Sequence, residues 1–284
     1  MELRAALVQL NASDDPTANL GVTERLVREA AEGGAQMVLT PEVTNIVSAS
    51  RARQRAMLRA EGEDPTLAGL REVARASGIW LVIGSLALRC EADERFVNRS
   101  FVIRPDGSIA ARYDKIHMFD VDLEGAESYR ESAGYRPGEQ AVTVDTPWGR
   151  IGLGICYDMR FPALYRALAE AGAVILTAPS AFTVPTGRAH WEILLRARAI
   201  ETGCFMLAPA QWGTHDASEG RVRETWGHSI AIDPWGRVLA DAGEGVGVTQ
   251  VTLDLAEVAR VRASIPSLAN ARVFRLPRPD TGTP

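Results

Sequence analysis

Four residues of this chain have the types for one reaction. Cys156 closes the run RIGLGIC, Glu42 follows MVLTP, Lys115 follows IAARYD and Glu131 lies within YRES. A deprotonated thiol is a strong nucleophile toward carbonyl carbon. A free thiol has a pKa of about 8.5, so at neutral pH a base must take its proton. A neighbouring carboxylate can do that and return the proton to a leaving group. An ammonium can hold the oxyanion that forms when a carbonyl is attacked. The set suits acyl transfer through the thiol. Taken singly, each residue also fits a plain role: a buried filler cysteine, two solvated carboxylates, a surface lysine.

The elements that must position them alternate. The periodicity predicts strands over 3–10, 35–40 and 79–88, with helices over 16–34 and 65–78 between them. FVNRSFVIRPDGSIAARYDK reads as two strands about an RPDG turn. Residues 116–140 show no element of their own, and loops that long are commonly functional or disordered. A hairpin turning at TPWG ends at Cys156, and the helix RFPALYRALAEAG follows. N–H groups at that helix start would favour a thiolate at Cys156. Then come the strand AVILTAPSA, the helix GRAHWEILLRARAIETG opened by His190 and Trp191, and the strand CFMLAPAQWG. A hairpin at DPWG, a strand and a helix complete the order, and the tail from Pro266 reads as extended. Such β-α-β units, repeated coarsely in both halves, imply an α/β fold with mixed sheets covered by helices, one domain over 1–284. Glu42, Lys115 and Cys156 fall beyond strand ends, where open α/β sheets bind ligands.

Composition narrows the partners. The chain has 284 residues, 46% of them hydrophobic, and a formal charge of -5, which argues against nucleic acid or an anionic membrane as the main partner. Three cysteines make a poor disulfide framework and point to a reducing, cytoplasmic setting. No leader pattern and no membrane-length apolar run is visible. No H-x-x-x-H or paired C-x-x-C appears, so neither a metal nor another cofactor is expected. GLGICY lacks the third glycine of a dinucleotide fingerprint, since Tyr157 stands there. A thiol with an imidazole base, drawn from His117, His190, His215 or His228, is the rival chemistry. A non-enzymatic interaction protein on a hydrolase scaffold is the rival outside catalysis.

LTPE, YDKIHMFDVD and GICYDMRFP, in that order, resemble the nitrilase or carbon-nitrogen hydrolase family over nearly the whole chain. The resemblance implies a nitrilase-like four-layer α-β-β-α sandwich with two mixed sheets, and at least a homodimer. It implies a catalytic set of Glu42, Lys115 and Cys156, with Glu131 as a second glutamate beside them. Cys156 would form a thioester with a small-molecule amide, releasing ammonia and then a carboxylic acid. Lys115 and the backbone N–H of Tyr157 would hold the oxyanion. Glu131 would orient the substrate or Lys115, and its charge near Glu42 would keep one carboxylate protonated.

Two longer stretches resemble one branch of the family. APSAFTVPTGRAHWEILLRARAIETGCFMLAPAQWG and RETWGHSIAIDPWGRVLA are similar to the Nit-type amidases, most closely those acting on deaminated glutathione. The ω-amidases of α-ketoglutaramate share much of this pattern, and hydrolases of N-carbamoyl amino acids remain an alternative. Candidate substrate contacts are Arg160, as a carboxylate clamp, with Ser180, Phe182, Thr186 and His190; ion pairing or ordinary packing is the other reading of each. The stretch 213–225 reads as a loop that shapes substrate choice.

Overall fold

The structure is a computed structural model and describes residues 1–90, 92–122 and 128–275. The first half runs β1 (Glu2–Gln9), α1 (Pro16–Glu32), β2 (Met37–Leu39), α2 (Arg51–Met57), α3 (Pro65–Ser77), β3 (Trp80–Arg89), β4 (Phe96–Ile103), β5 (Ile109–Asp114), β6 (Asp120–Asp122) and β7 (Ser128–Arg130). The second runs β8 (Thr143–Thr146), β9 (Gly149–Gly152), α4 (Pro162–Glu170), β10 (Ala173–Thr177), α5 (Val184–Thr202), β11 (Phe205–Ala208), β12 (Trp212–His215), β13 (Arg223–Trp226), β14 (Ile230–Ile232), β15 (Val238–Asp241), β16 (Gly247–Asp254) and α6 (Ala256–Ser264). Local chemistry sets several boundaries. Asp15 accepts from the Thr17 and Ala18 N–H groups at the start of α1, and Asp64 accepts from Leu67 at the start of α3. Both helices carry proline in the first turn, where the missing N–H is not needed.

Two six-stranded sheets result, ordered β16-β1-β2-β3-β4-β5 and β15-β14-β11-β10-β9-β8. In each, three parallel strands (β1-β2-β3, β9-β10-β11) are flanked by antiparallel ones. The coarse repetition seen in the sequence is therefore a repeat of sheet topology. Side chains alternate across each strand with a period of two. Leu3, Ala5, Leu7, Met37, Leu39 and Val82 face inward, into one core with Ile151 and Ile175 of the other sheet. Ala6, Val8, Val38, Leu81 and Ile83 face outward beneath Leu26 and Val27 of α1 and Leu70 and Val73 of α3. Leu164 and Leu168 of α4 and Leu195 and Ala199 of α5 cover the second sheet. The layers are α-β-β-α, the nitrilase-like sandwich expected from the sequence. Among the described residues no helix is long and apolar enough to cross a membrane.

Some segments differ from the sequence reading. Residues 116–140 are not featureless: β6 and β7 pair there, and a 3₁₀ turn spans Glu131–Ala133. Three-residue strands are too short to show a hydrophobic period. Residues 51–57, assigned no element above, form α2, whose Ser50 cap accepts from the Arg53 N–H at 3.1 Å. Only Gln54 of α2 is buried, so the helix has no apolar stripe to read. The stretch 213–225 is a hairpin whose ends belong to β12 and β13, with 216–222 the loop between them. The fifth helix starts at Val184, with Pro185 in its first turn, so His190 and Trp191 lie well inside it. The tail from Pro266 begins as a turn, Asn270 N–H donating to Pro266 O at 2.9 Å. Its far end, 276–284, lies outside the described residues.

Candidate active site

Glu42, Lys115, Glu131 and Cys156 line one cavity of ≈ 430 Å³. Glu42 lies three residues beyond β2, Lys115 directly beyond β5, Glu131 directly beyond β7, and Cys156 beyond β9. The first sheet thus brings Glu42 and Lys115 and the second brings Cys156.

Lys115 is the hub. Its Nζ donates to Glu42 Oε1 at 2.8 Å and to both carboxylate oxygens of Glu131, at 3.0 and 2.8 Å. Lys115 is 2% exposed and Glu42 5%, so these charges are largely out of water. Glu42 has three further donors: Asn98 Nδ2 and the Ala181 N–H, both at 2.9 Å, and Cys156. Burial pushes the Glu42 carboxyl up. The Lys115 charge, with the hydrogen bonds from Lys115, Cys156 and Ala181, outweighs burial and holds it below the usual carboxylate range. Lys115 itself is disfavoured by burial, but Glu131, Glu42 and Cys156 raise it well above an ordinary lysine. The expectation that one carboxylate stays protonated therefore fails for Glu42: a buried ammonium between two carboxylates removes the repulsion that would protonate it.

Cys156 sits on a strained turn. Its φ of 48° is in the left-handed region, which a side chain other than glycine rarely adopts. Several bonds hold the turn in that shape. Cys156 N–H donates to Pro179 O at 2.9 Å, and the buried Asp158 accepts from Ile155 N–H at 2.9 Å and from Tyr113 Oη at 2.7 Å. Asp158 also accepts from the His117 N–H at 3.0 Å, two residues beyond Lys115. One carboxylate thus ties the cysteine turn to the strand end that carries the lysine. The turn after Cys156 is a short 3₁₀ segment, Cys156–Arg160, with α4 beginning only at Pro162. The expected help from an α-helix start is absent. Burial and the Glu42 charge push the thiol up instead, against the opposing pull of Lys115. The resting group is a thiol with an ionised carboxylate beside it.

The glutamate loop is built to tight tolerances. Val43 has a φ of 49°, a costly conformation for a β-branched residue, and its N–H donates to Ser85 Oγ at 2.8 Å. Beneath the loop lies Gly84. A Cβ there would sit 2.0 Å from Thr40 O and 2.5 Å from Pro41 O, both backbone atoms. Gly84→Ala is expected to cost about 1–3 kcal/mol of stability through overpacking. By moving Glu42 it should also slow turnover, by up to about a hundredfold. Chemical denaturation and rate measurements on one sample check both, and a wild-type midpoint would contradict the packing argument.

Of the other residues singled out from the sequence, Phe182, Thr186 and Tyr157 line the cavity. Arg160, Ser180 and His190 are not among its lining residues. The Arg160 guanidinium lies 5.3 Å from the Phe182 ring centroid, with Nη2 3.3 Å from His190 Nδ1. Ser180 is fully buried and donates to Ala178 O at 2.9 Å. Sequence reasoning missed Asn98, whose Nδ2 reaches Glu42 and lies 3.5 Å from Glu131 Oε1. A polar side chain inside the apolar strand FVNRSFVI was the available signal. It also missed Arg51 and Arg223, which line the cavity from α2 and β13.

The family model described as carbon-nitrogen hydrolase matches residues 4–263. A deaminated glutathione amidase of Yersinia enterocolitica is 40% identical over 269 residues, 94% of this chain and 92% of that one. The omega-amidase NIT2 of Mus musculus is 38% identical over 270 residues, 95% of each chain. Among solved structures, Saccharomyces cerevisiae Nit3, a member of branch 10 of the nitrilase superfamily, matches with a TM-score of 0.82 and 31% identity, covering 93% of this chain and 94% of that one. With the family pattern running through both sheets and all the strand ends that carry the site, this chain belongs to the carbon-nitrogen hydrolase family.

Proposed function

We propose that the chain is an amidase that opens the amide of a 2-oxo acid through a thioester on Cys156, with deaminated glutathione or a close analogue as substrate. The observation that carries this reading is the Lys115 ammonium between Glu42 and Glu131 in the wall of the cavity that Cys156 also lines. Glu42 takes the Sγ proton as sulfur attacks the carbonyl carbon. Lys115 and the Tyr157 N–H face the oxyanion, and each such donor is typically worth about 2.7–4 kcal/mol in the transition state. Glu42 then protonates the departing nitrogen, leaving the thioester. A water gives its proton to Glu42 and attacks the thioester; the acid leaves and the thiol is restored. Glu131 orients Lys115 throughout.

The named relatives support the substrate class. The constitution of the two candidates separates their leaving groups. α-Ketoglutaramate is a primary amide and yields ammonia. In deaminated glutathione the corresponding nitrogen carries cysteinylglycine, and that dipeptide leaves. Both yield 2-oxoglutarate. The purified protein is expected to form 2-oxoglutarate from both, and faster from deaminated glutathione at equal low concentration. Formation from neither, with turnover of an N-carbamoyl amino acid, would sink the proposal.

One hydrolase domain is part of this reading, since neither sheet alone supplies the site. So is a reducing, cytoplasm-like compartment, because Cys156 has to stay a free thiol. A homo-oligomer fits the exposed Ile193 and Ile200 of α5 and the nearby Trp235.

A further inference from the structure

The cavity wall opposite in sign to a carboxylate is unusually rich. Its charged lining residues are Glu42 and Glu131 against Lys115, Arg51, Arg130, Arg221 and Arg223, two acids against five cations. The chain as a whole is acidic, at -5, so this excess is local. Lys115 is satisfied by the two glutamates, and Arg130 pairs with Asp122 at 2.8 Å. Arg51 and Arg223 are engaged differently. Arg51 donates to Gln54 Oε1 at 2.8 Å and lies 5.2 Å over the Tyr135 ring. Arg223 donates to Ala181 O at 3.4 Å. None of these partners is charged.

Each arginine touches a residue that holds one of the two glutamates. Ala181, which Arg223 touches, is the residue whose N–H holds Glu42. Tyr135, beneath Arg51, donates its N–H to Glu131 O at 2.9 Å. Both guanidinium charges act on the buried Tyr135 hydroxyl, which burial still pushes up to about 12. Both line the cavity that Glu42, Glu131 and Cys156 line. A guanidinium there offers paired N–H donors in the geometry a carboxylate accepts.

We infer that Arg51 and Arg223 form a subsite for a substrate carboxylate remote from the scissile amide, and so determine specificity for acidic amides. The inference rests on the amidase reading above and adds the residues that select the acid. An uncharged amide would leave these cations unmatched, whereas a 2-oxo acid amide brings its own carboxylate. α-Ketoglutaramate carries that group on the acyl side of the bond to be broken.

The test compares α-ketoglutaramate with valeramide, an uncharged amide of similar length. The wild-type ratio of kcat/KM between the two is expected to favour the acid. Arg51→Met and Arg223→Met should each lower that ratio by about tenfold or more, chiefly through KM, the size expected for one charge-assisted contact. Arg223→Lys should restore part of it, and serves in place of Arg223→Met if that variant unfolds. A ratio unchanged in both methionine variants overturns the inference. A second readout does not depend on the 2-oxo acid reading. Glutarate should inhibit competitively against any amide the wild type turns over, and about tenfold more weakly in Arg223→Met. Equal inhibition of the two proteins overturns the subsite. Glutarate inhibition that depends on the arginines, in a protein forming no 2-oxoglutarate, leaves the subsite standing and removes only the proposed substrate.

Discussion

Replacing Lys115 with methionine is expected to slow turnover sharply and weaken the fold together. The side chain is 2% exposed and bridges two carboxylates at 2.8 Å each. Breaking a buried charge cluster by removing one partner typically costs about 3–5 kcal/mol, because the remaining charge stays desolvated and unpaired. Losing one oxyanion donor should slow chemistry by about 10²–10³-fold. The pH dependence separates this cause from a general packing defect. In the wild type Glu42 is held below its usual range, so its contribution is present at neutral pH and is lost as pH falls from 4.5 through the lower folded pKa. Without Lys115, burial and the neighbouring carboxylate both raise Glu42, and the folded state then takes up a proton more readily than the unfolded one. The variant should gain stability relative to wild type as pH falls from about 7.5 to 5.5. Urea unfolding at the two pH values measures this. A gap between the two proteins that widens on acidification would contradict the electrostatic account.

The candidate set of Glu42, Lys115 and Cys156 was legible through motifs that resemble the family, and its placement has a geometric reason. Glu42, Lys115 and Cys156 each follow a run of strand-forming residues, and the ends of strands are where such sheets converge on a ligand. Mixed sheets covered by helices were legible because inward and outward side chains of β1, β2 and β3 are all apolar and read as buried runs, whereas the α-β-β-α order of layers came from the family resemblance. What stayed hidden was polar. β12 and β13 have no apolar alternation, so the hairpin that carries Arg223 looked like a loop. α2 buries only Gln54, so Arg51 looked like part of a surface stretch. Arg160 attracted attention by its closeness to Cys156 in the chain, yet the 3₁₀ turn directs it toward Phe182 and His190. Proximity in sequence is a poor guide where a strained turn redirects successive side chains. The state of the thiol was also out of reach. It depends on burial and on the charge of Glu42, a residue 114 positions earlier, and neither can be read from the local run.

Glu42→Gln should be nearly as damaging as the loss of Lys115, by a different route. The wild-type carboxylate accepts from Lys115, Asn98, Ala181 and Cys156. An amide in its place has only one accepting oxygen, so its NH₂ end must face donors on one side. That mismatch should cost about 1–3 kcal/mol of stability, the penalty for a buried polar group left without a partner. The larger effect is on the proton. A buried thiol raised above its ordinary pKa presents almost no thiolate near neutrality, so sulfur attack depends on a base in contact. Removing such a base costs about 10²–10⁴-fold, and Glu42 serves both acylation and hydrolysis of the thioester in the proposed cycle. The variant should therefore fall at or beyond the lower end of detectable turnover at neutral pH. Alkylation of Cys156 by iodoacetamide gives an independent view. In Glu42→Gln the charge that raises the thiol is gone while Lys115 still lowers it, so alkylation near neutrality should persist even as amide turnover is lost. His117, His190, His215 and His228 are all absent from the cavity lining, and His117 Nδ1 lies 2.7 Å from Asp158 Oδ1. An imidazole base would make one of those histidines indispensable and leave Glu42→Gln within about tenfold of wild type, a result that would put the proton on a different path from the one the geometry favours.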